Sequence, residues 1–160
     1  MIKHVRVDHR LLHGQVAVSW LQSIDTDCIL IANDELVNDE IRKTTLKLAR
    51  PNNCKLIFKT VDDSIKAILS GVTDQYKLFI IFENIYDAIK LARETKVIKS
   101  INLGGIKHTE GAKKISKTVS LTEEEQNKLI EFMNEFPEIE LEVRGLPSEQ
   151  KIILKDNLRR

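Results

Sequence analysis

The stretch Lys77-Leu78-Phe79-Ile80-Ile81-Phe82-Glu83-Asn84-Ile85-Tyr86-Asp87-Ala88-Ile89-Lys90-Leu91-Ala92 changes its hydrophobic period in the middle. From Leu78 to Phe82 every residue is apolar, as expected of a strand buried on both faces. From Ile85 onward, Ile85, Ala88, Ile89 and Ala92 follow i, i+3, i+4, i+7 spacing, which places them on one face of a helix. A fully apolar strand followed by an amphipathic helix is the building unit of an α/β fold.

The same alternation extends in both directions. Strand-like runs occur at Lys3–Val7, Cys28–Ala32, Lys55–Lys59, Lys77–Phe82 and Ser100–Leu103, with a shorter one at Lys117–Ser120. Asn38 is placed to cap a helix that ends before Arg50-Pro51. Leu121, Thr122 and Glu125 read as staple, cap and capping-box residues. Glu138–Val143 alternates charge with Ile139, Leu141 and Val143, as a half-solvated edge strand would, and Ser148 is placed to cap a last helix. These signals predict an α/β fold: a three-layer α/β/α sandwich around an open, mainly parallel sheet, with an edge strand near the C-terminus. No repeat, low-complexity tract or linker interrupts the chain, so residues 1–160 read as one domain.

Composition narrows the function classes. The chain has 160 residues, 42% hydrophobic and 31% charged, an ordinary globular balance. Its formal charge of +1 offers no bulk basic field, so nucleic acid is not an expected partner. The longest apolar stretch, Leu78–Phe82, is too short to span a bilayer. The N-terminus lacks an apolar signal-peptide core, and Cys28 and Cys54 have no metal or redox spacing. A cytoplasmic location is the resulting expectation.

In such sheets, ligands gather at the carboxyl ends of the strands. The breaks after the apolar runs are therefore informative: Asp8 to Gln15 after Val7, Asn33-Asp34 after Ala32, Glu83-Asn84 after Phe82, Gly104-Gly105 after Leu103. The first break carries most of the reactive groups. Imidazoles titrate near ~6.5, so a neutral nucleophilic ring is available at neutral pH. His13 opens a helical pattern through Val16, Ala17, Trp20 and Leu21, where unpaired amides favour an anion. Gly14 permits close backbone approach, and the Gln15 amide adds a donor. Arg10 can clamp phosphate oxygens, and Asp8 can orient an imidazole or Arg10. His9 and His13 are four apart, but no further ligand completes a metal site and none is assigned. No GxGxxG, P-loop or HExxH pattern occurs, and no cofactor is expected. Asn33, Asp34 and Asn84 suit helix caps and turns as well as an outer shell around a phosphate.

The segment Val5-Arg6-Val7-Asp8-His9-Arg10-Leu11-Leu12-His13-Gly14-Gln15-Val16 closely resembles the N-terminal signature of the mannose/fructose/sorbose family of IIB subunits of bacterial sugar phosphotransferase systems. The likeness continues through Leu30–Glu35, Ile101–Gly105 and Glu140–Arg144, covering essentially the whole chain. It implies a free-standing IIB domain in which His13 takes a phosphoryl group, on Nδ1, from a phosphorylated IIA partner. His13 would pass that group to a sugar delivered by the IIC and IID membrane subunits, at the inner face of the membrane. The resemblance leaves room for a homo-oligomer. It implies phosphate-binding or orienting roles for Asp8, Arg10, Gly14 and Gln15, and an outer shell from Asn33, Asp34, Asn84, Gly104 and Gly105. His9 and Glu83 depart from the commoner family residues. The rival reading is a non-catalytic ligand-binding or regulatory α/β domain; the complete Asp8–Arg10–His13–Gly14 set separates the two.

Overall fold

The structure is a computed structural model, described for residues 1–14 and 16–158. Seven strands form the main sheet: β1 (Ile2–Asp8), β2 (Cys28–Ala32), β3 (Lys55–Lys59), β4 (Leu78–Phe82), β5 (Ser100–Gly105), β8 (Glu140–Val143) and β9 (Ile152–Ile153). Their order is β3-β2-β4-β1-β5-β8-β9. Every pairing is parallel except β8 with β9. Two further short strands, β6 (Lys113–Lys114) and β7 (Ser120–Leu121), form a small antiparallel ribbon.

Period-2 alternation divides the sheet's side chains between two cores. Val5, Val7, Leu30, Ile80 and Phe82 pack with the helices α3 (Val61–Ser70), α4 (Ile85–Thr95) and α5 (Glu123–Glu135). Ile29, Ile31, Phe79 and Ile81 face Leu11, Leu12, Val16, Trp20, Leu36 and Leu46 on the opposite side. That second layer consists of a π-helical segment Val16–Trp20 running into α1 (Leu21–Ser23), together with α2 (Glu40–Leu48). The three-layer, mainly parallel α/β architecture agrees with the sequence-based expectation.

Several local signals hold and others do not. Thr122 and Glu125 form the expected capping box. The cap of α2 is Asp39, which accepts from the Arg42 amide at 3.0 Å, not Asn38. Asn38 instead ends a 3-10 turn, Leu36–Asn38, that reverses the chain just before the helix. No α-helix follows Ser148 in the described residues; that segment turns into β9, whose Ile152 and Ile153 pair with Val143 and Glu142, and then into a short 3-10 turn, Leu154–Asp156. The C-terminal edge strand is therefore β9. β8, expected at the edge, is paired on both sides. Cys28 and Cys54 are buried free thiols, and burial pushes the Cys28 thiol up to about 11. No helix among the described residues is long and apolar enough to cross a membrane.

Candidate phosphoryl-transfer site

The site begins with alternation inside β1. Val5 and Val7 face one core, so His4, Arg6 and Asp8 must face the other. In register, Arg6 lies opposite Asn102 of β5, and Asn102 lies opposite Glu142 of β8. A polar row thus crosses three adjacent strands beneath the second layer, and Arg6, Asn102 and Glu142 are all buried. Buried charges are tolerated only when paired and hydrogen-bonded. Here Arg6 donates from Nη1 to Asn102 Oδ1 at 2.8 Å and to the Arg144 carbonyl at 3.3 Å. Its Nε and Nη2 donate to Asp8 Oδ2 at 3.3 and 3.0 Å.

Asp8 is the hub of the loop after β1. Its side chain is wholly buried, and its Oδ2 also accepts from His13 Nε2 at 3.1 Å. Its Oδ1 accepts from the Arg10 amide at 3.0 Å. Burial pushes this carboxyl up, but the bonds from His13 and Arg10 and the charge of Arg6 outweigh it and bring the group down to about 2. Asp8 is therefore ionised throughout the neutral range and accepts a proton-bearing Nε2. Nδ1 of His13 then carries the lone pair, and among the described residues it has no hydrogen-bond partner.

The chain returns His13 to Asp8 through a tight turn. The Leu11 amide donates to the Asp8 carbonyl at 2.9 Å, and Leu11 adopts a left-handed φ of 58°. That conformation costs a non-glycine residue about 1 kcal/mol or more. Complete burial of Leu11 and near-complete burial of Leu12 offset it, each contributing roughly 2 kcal/mol. The His13 carbonyl then accepts the Ala17 amide at 2.9 Å, so His13 opens the helical segment as expected.

The two glycines at the end of β5 make room for this arrangement. A Cβ on Gly104 would lie 2.0 Å from Arg6 Cζ, and one on Gly105 would lie 2.8 Å from Asp8 Oδ1. Gly14 is different: a Cβ there would meet nothing within 4 Å. Arg10 is half-exposed beside the carboxylate, with Nε 3.8 Å from Asp8 Oδ1. Gln15 lies outside the described residues.

Among the described residues, Asn33, Asp34 and Asn84 make their side-chain hydrogen bonds away from His13 and Asp8. Asn33 accepts the Leu36 amide at 2.9 Å, Asp34 accepts the Val61 amide at 2.9 Å, and Asn84 caps α4 through the Asp87 amide at 2.9 Å. Their side chains organise the ends of β2 and β4. Glu83 pairs with Arg42. His9 is exposed and bonds through its own amide to the Gly105 carbonyl at 2.9 Å. His108 bonds Ser120 Oγ at 3.0 Å.

Sequence reasoning missed Arg6, Asn102, Trp20 and Arg144. Trp20 donates to the Gly145 carbonyl at 2.8 Å, and its ring lies 5.3 Å from Arg6 Cζ and 5.0 Å from Arg144 Cζ. His4 stacks on the same ring at 4.5 Å; burial and nearby Arg6 lower its pKa to about 3, so it is neutral at neutral pH. The available signal was the alternation of His4, Arg6 and Asp8 with Val5 and Val7.

Comparison with known proteins identifies the family and agrees with the fold. The family described as "PTS system sorbose subfamily IIB component" matches residues 2–160. A probable phosphotransferase enzyme IIB component of Streptococcus pyogenes serotype M6 is 35% identical over 159 residues, covering 96% of this chain and 97% of that protein. The fructose-specific EIIB component of Bacillus subtilis is 32% identical over 144 residues, covering 90% and 87%. The crystal structure of the IIBSor domain of the sorbose permease from Klebsiella pneumoniae superposes with a TM-score of 0.88 at 28% identity, covering 98% of this chain and 94% of that one.

Proposed function

Because the chain belongs to the sorbose subfamily of phosphotransferase-system IIB components, and so to a family of sugar phosphotransferases, we propose that His13 is the residue that carries the phosphoryl group. One observation carries this reading: Asp8 engages Nε2 of His13 at 3.1 Å and leaves Nδ1 as the nucleophilic nitrogen. The same relation supports Nδ1 as the site of phosphorylation.

In the first step, Nδ1 attacks the phosphorus of a phosphohistidine on a IIA protein. The new N–P bond forms as the old one breaks. Asp8 balances positive charge that develops on the ring, and Arg10 moves onto the phosphoryl oxygens. Gly14, open on its outer side, leaves room for those oxygens, and Gln15 contributes from the same loop. In the second step, a sugar hydroxyl oxygen bonds the phosphorus as the N–P bond to His13 breaks, and the hydroxyl proton passes to solvent. Gly104 and Gly105 act by admitting Arg6 and Asp8; Asn33, Asp34 and Asn84 shape the neighbouring strand ends.

The family's partners are IIA proteins and the IIC and IID membrane components. We read residues 1–160 as one IIB domain that works in the cytoplasm, against the inner membrane face, through those components. The sugars named for relatives of similar identity differ: fructose, sorbose and mannose. Family membership therefore supports the chemistry and not the sugar.

The test is phosphorylation by phospho-IIA. His13→Ala abolishes acid-labile labelling, while His4→Ala, His9→Ala and His108→Ala retain it. Stoichiometric labelling of His13→Ala would exclude His13 as the carrier.

A further inference from the structure

Beside the His13 loop, and sharing Arg6, Arg10 and Gly104 with it, lies a second concave region. It is a cavity of about 430 Å³ between Arg10, the Ser116–Thr118 turn and the segment after β8. Its cationic lining is Arg6, Arg10, Lys117 and Arg144. Arg6 is already matched by Asp8, and Arg144 pairs with Glu142 at 3.3 Å. Lys117 makes no ion pair among the described residues, and Arg10 is only loosely held.

This cavity already contains an anion supplied by the chain. Glu149 Oε1 accepts the amides of Gly145 and Leu146, both at 2.9 Å. Consecutive backbone amides form an oxyanion cradle, and the Glu149 carboxylate held there makes no ion pair with the cationic side chains that line the same cavity among the described residues. Two hydroxyls complete the lining, and Ser116 Oγ accepts only backbone amides, at 3.3 and 3.2 Å, which leaves its proton available. The volume falls in the range of small-ligand pockets.

We propose that this cavity is a second oxyanion site, built for a phosphate dianion, and that Glu149 occupies it as an internal competitor. The Gly145 and Leu146 amides hold the oxygens, Lys117 and Arg10 supply free positive charge, and the Ser116 and Thr118 hydroxyls face whatever the phosphate is attached to. A free phosphate and a sugar phosphate share this chemistry. The site shares Arg10 with the His13 centre but uses no atom of His13, so its test is read separately from that of the carrier residue.

The test uses the full-length, ¹⁵N-labelled protein titrated with inorganic phosphate and, separately, with glucose 6-phosphate at matched ionic strength. The amide signals of Gly145, Leu146 and Thr118 move saturably. Glu149→Ala and Glu149→Gln both tighten binding, by about tenfold, because a charged acceptor no longer competes. Lys117→Ala weakens it by about as much, and His13→Ala leaves it unchanged. Tighter binding of glucose 6-phosphate identifies a sugar phosphate as occupant; equal affinities identify the phosphate group alone. Absence of saturable shifts at these amides in the parent and both Glu149 variants overturns the proposal. So do identical shifts with sodium chloride, an unaltered affinity in Lys117→Ala, or loss of binding in His13→Ala.

Discussion

The guanidinium carbon of Arg6 lies where a side chain at position 104 would begin, 2.0 Å from the Cβ that Gly104 lacks. From that space on the neighbouring strand Arg6 hydrogen-bonds Asp8 on its own strand and Asn102 on the next. Without the space at Gly104, Arg6 could not reach Asp8 and Asn102 together.

Gly104→Ala therefore displaces a buried guanidinium whose three nitrogens are all hydrogen-bonded. We expect a loss of about 3 kcal/mol or more in denaturant unfolding, the scale of breaking one partner out of a buried pair. Gly14→Ala meets no atom within 4 Å, so its stability stays within about 1 kcal/mol. Equal stabilities for the two variants would refute this account of Gly104.

Asp8→Asn keeps the shape but removes the charge that selects the His13 tautomer. Phosphotransfer falls by about 100-fold or more, toward the roughly 10⁴-fold loss that follows when an aspartate orienting a reacting histidine becomes asparagine. The ¹⁵N shifts of the His13 ring supply the independent reading. They report a protonated Nε2 in the parent protein, and a mixed tautomer in Asp8→Asn. Unchanged ring shifts would show that Asp8 does not set the tautomer.

Arg10→Ala slows transfer more than Arg10→Lys, because lysine keeps the charge and loses the planar fork. Half-exposed and loosely held, Arg10 adds little to stability, and both variants melt within about 0.5 kcal/mol of the parent. Parental transfer rates in both would leave Arg10 outside the mechanism.

His4 gives the fold a pH dependence. Its folded pKa of about 3 lies below the unfolded value, so between roughly pH 6.5 and 3 the unfolded chain binds the extra proton. Stability contributed by neutral His4 is present above pH 6.5 and declines on acidification, with a slope approaching 1.4 kcal/mol per pH unit for one proton. Asp8 has the same sign at lower pH: its contribution is full above its unfolded value near ~3.9 and is lost as pH falls through about 2. His4→Phe keeps a ring against Trp20 and flattens the upper part of the profile. Urea midpoints measured between about pH 4 and 7 decide it, and parallel profiles would reject it.

What could be read from the chain alone was local. The apolar run Leu78–Phe82 and the spacing of Ile85, Ala88, Ile89 and Ala92 announce strand and helix because their period is written in neighbouring residues. His13, Asp8 and Arg10 were legible for the same reason, since one turn brings them together within a few positions. The long-range partners were not. Arg6 meets Asn102 and Arg144, and Trp20 meets Gly145, only because β1, β5 and β8 lie side by side. Sheet order likewise decided that the charges of Glu140–Val143 do not mark an edge: β9 covers that strand, and Glu142 is buried in the polar row. A strand's own alternation shows that two faces differ. It does not say whether water or another buried charge stands against the polar one; that depends on residues a hundred positions away and on the register that brings them opposite.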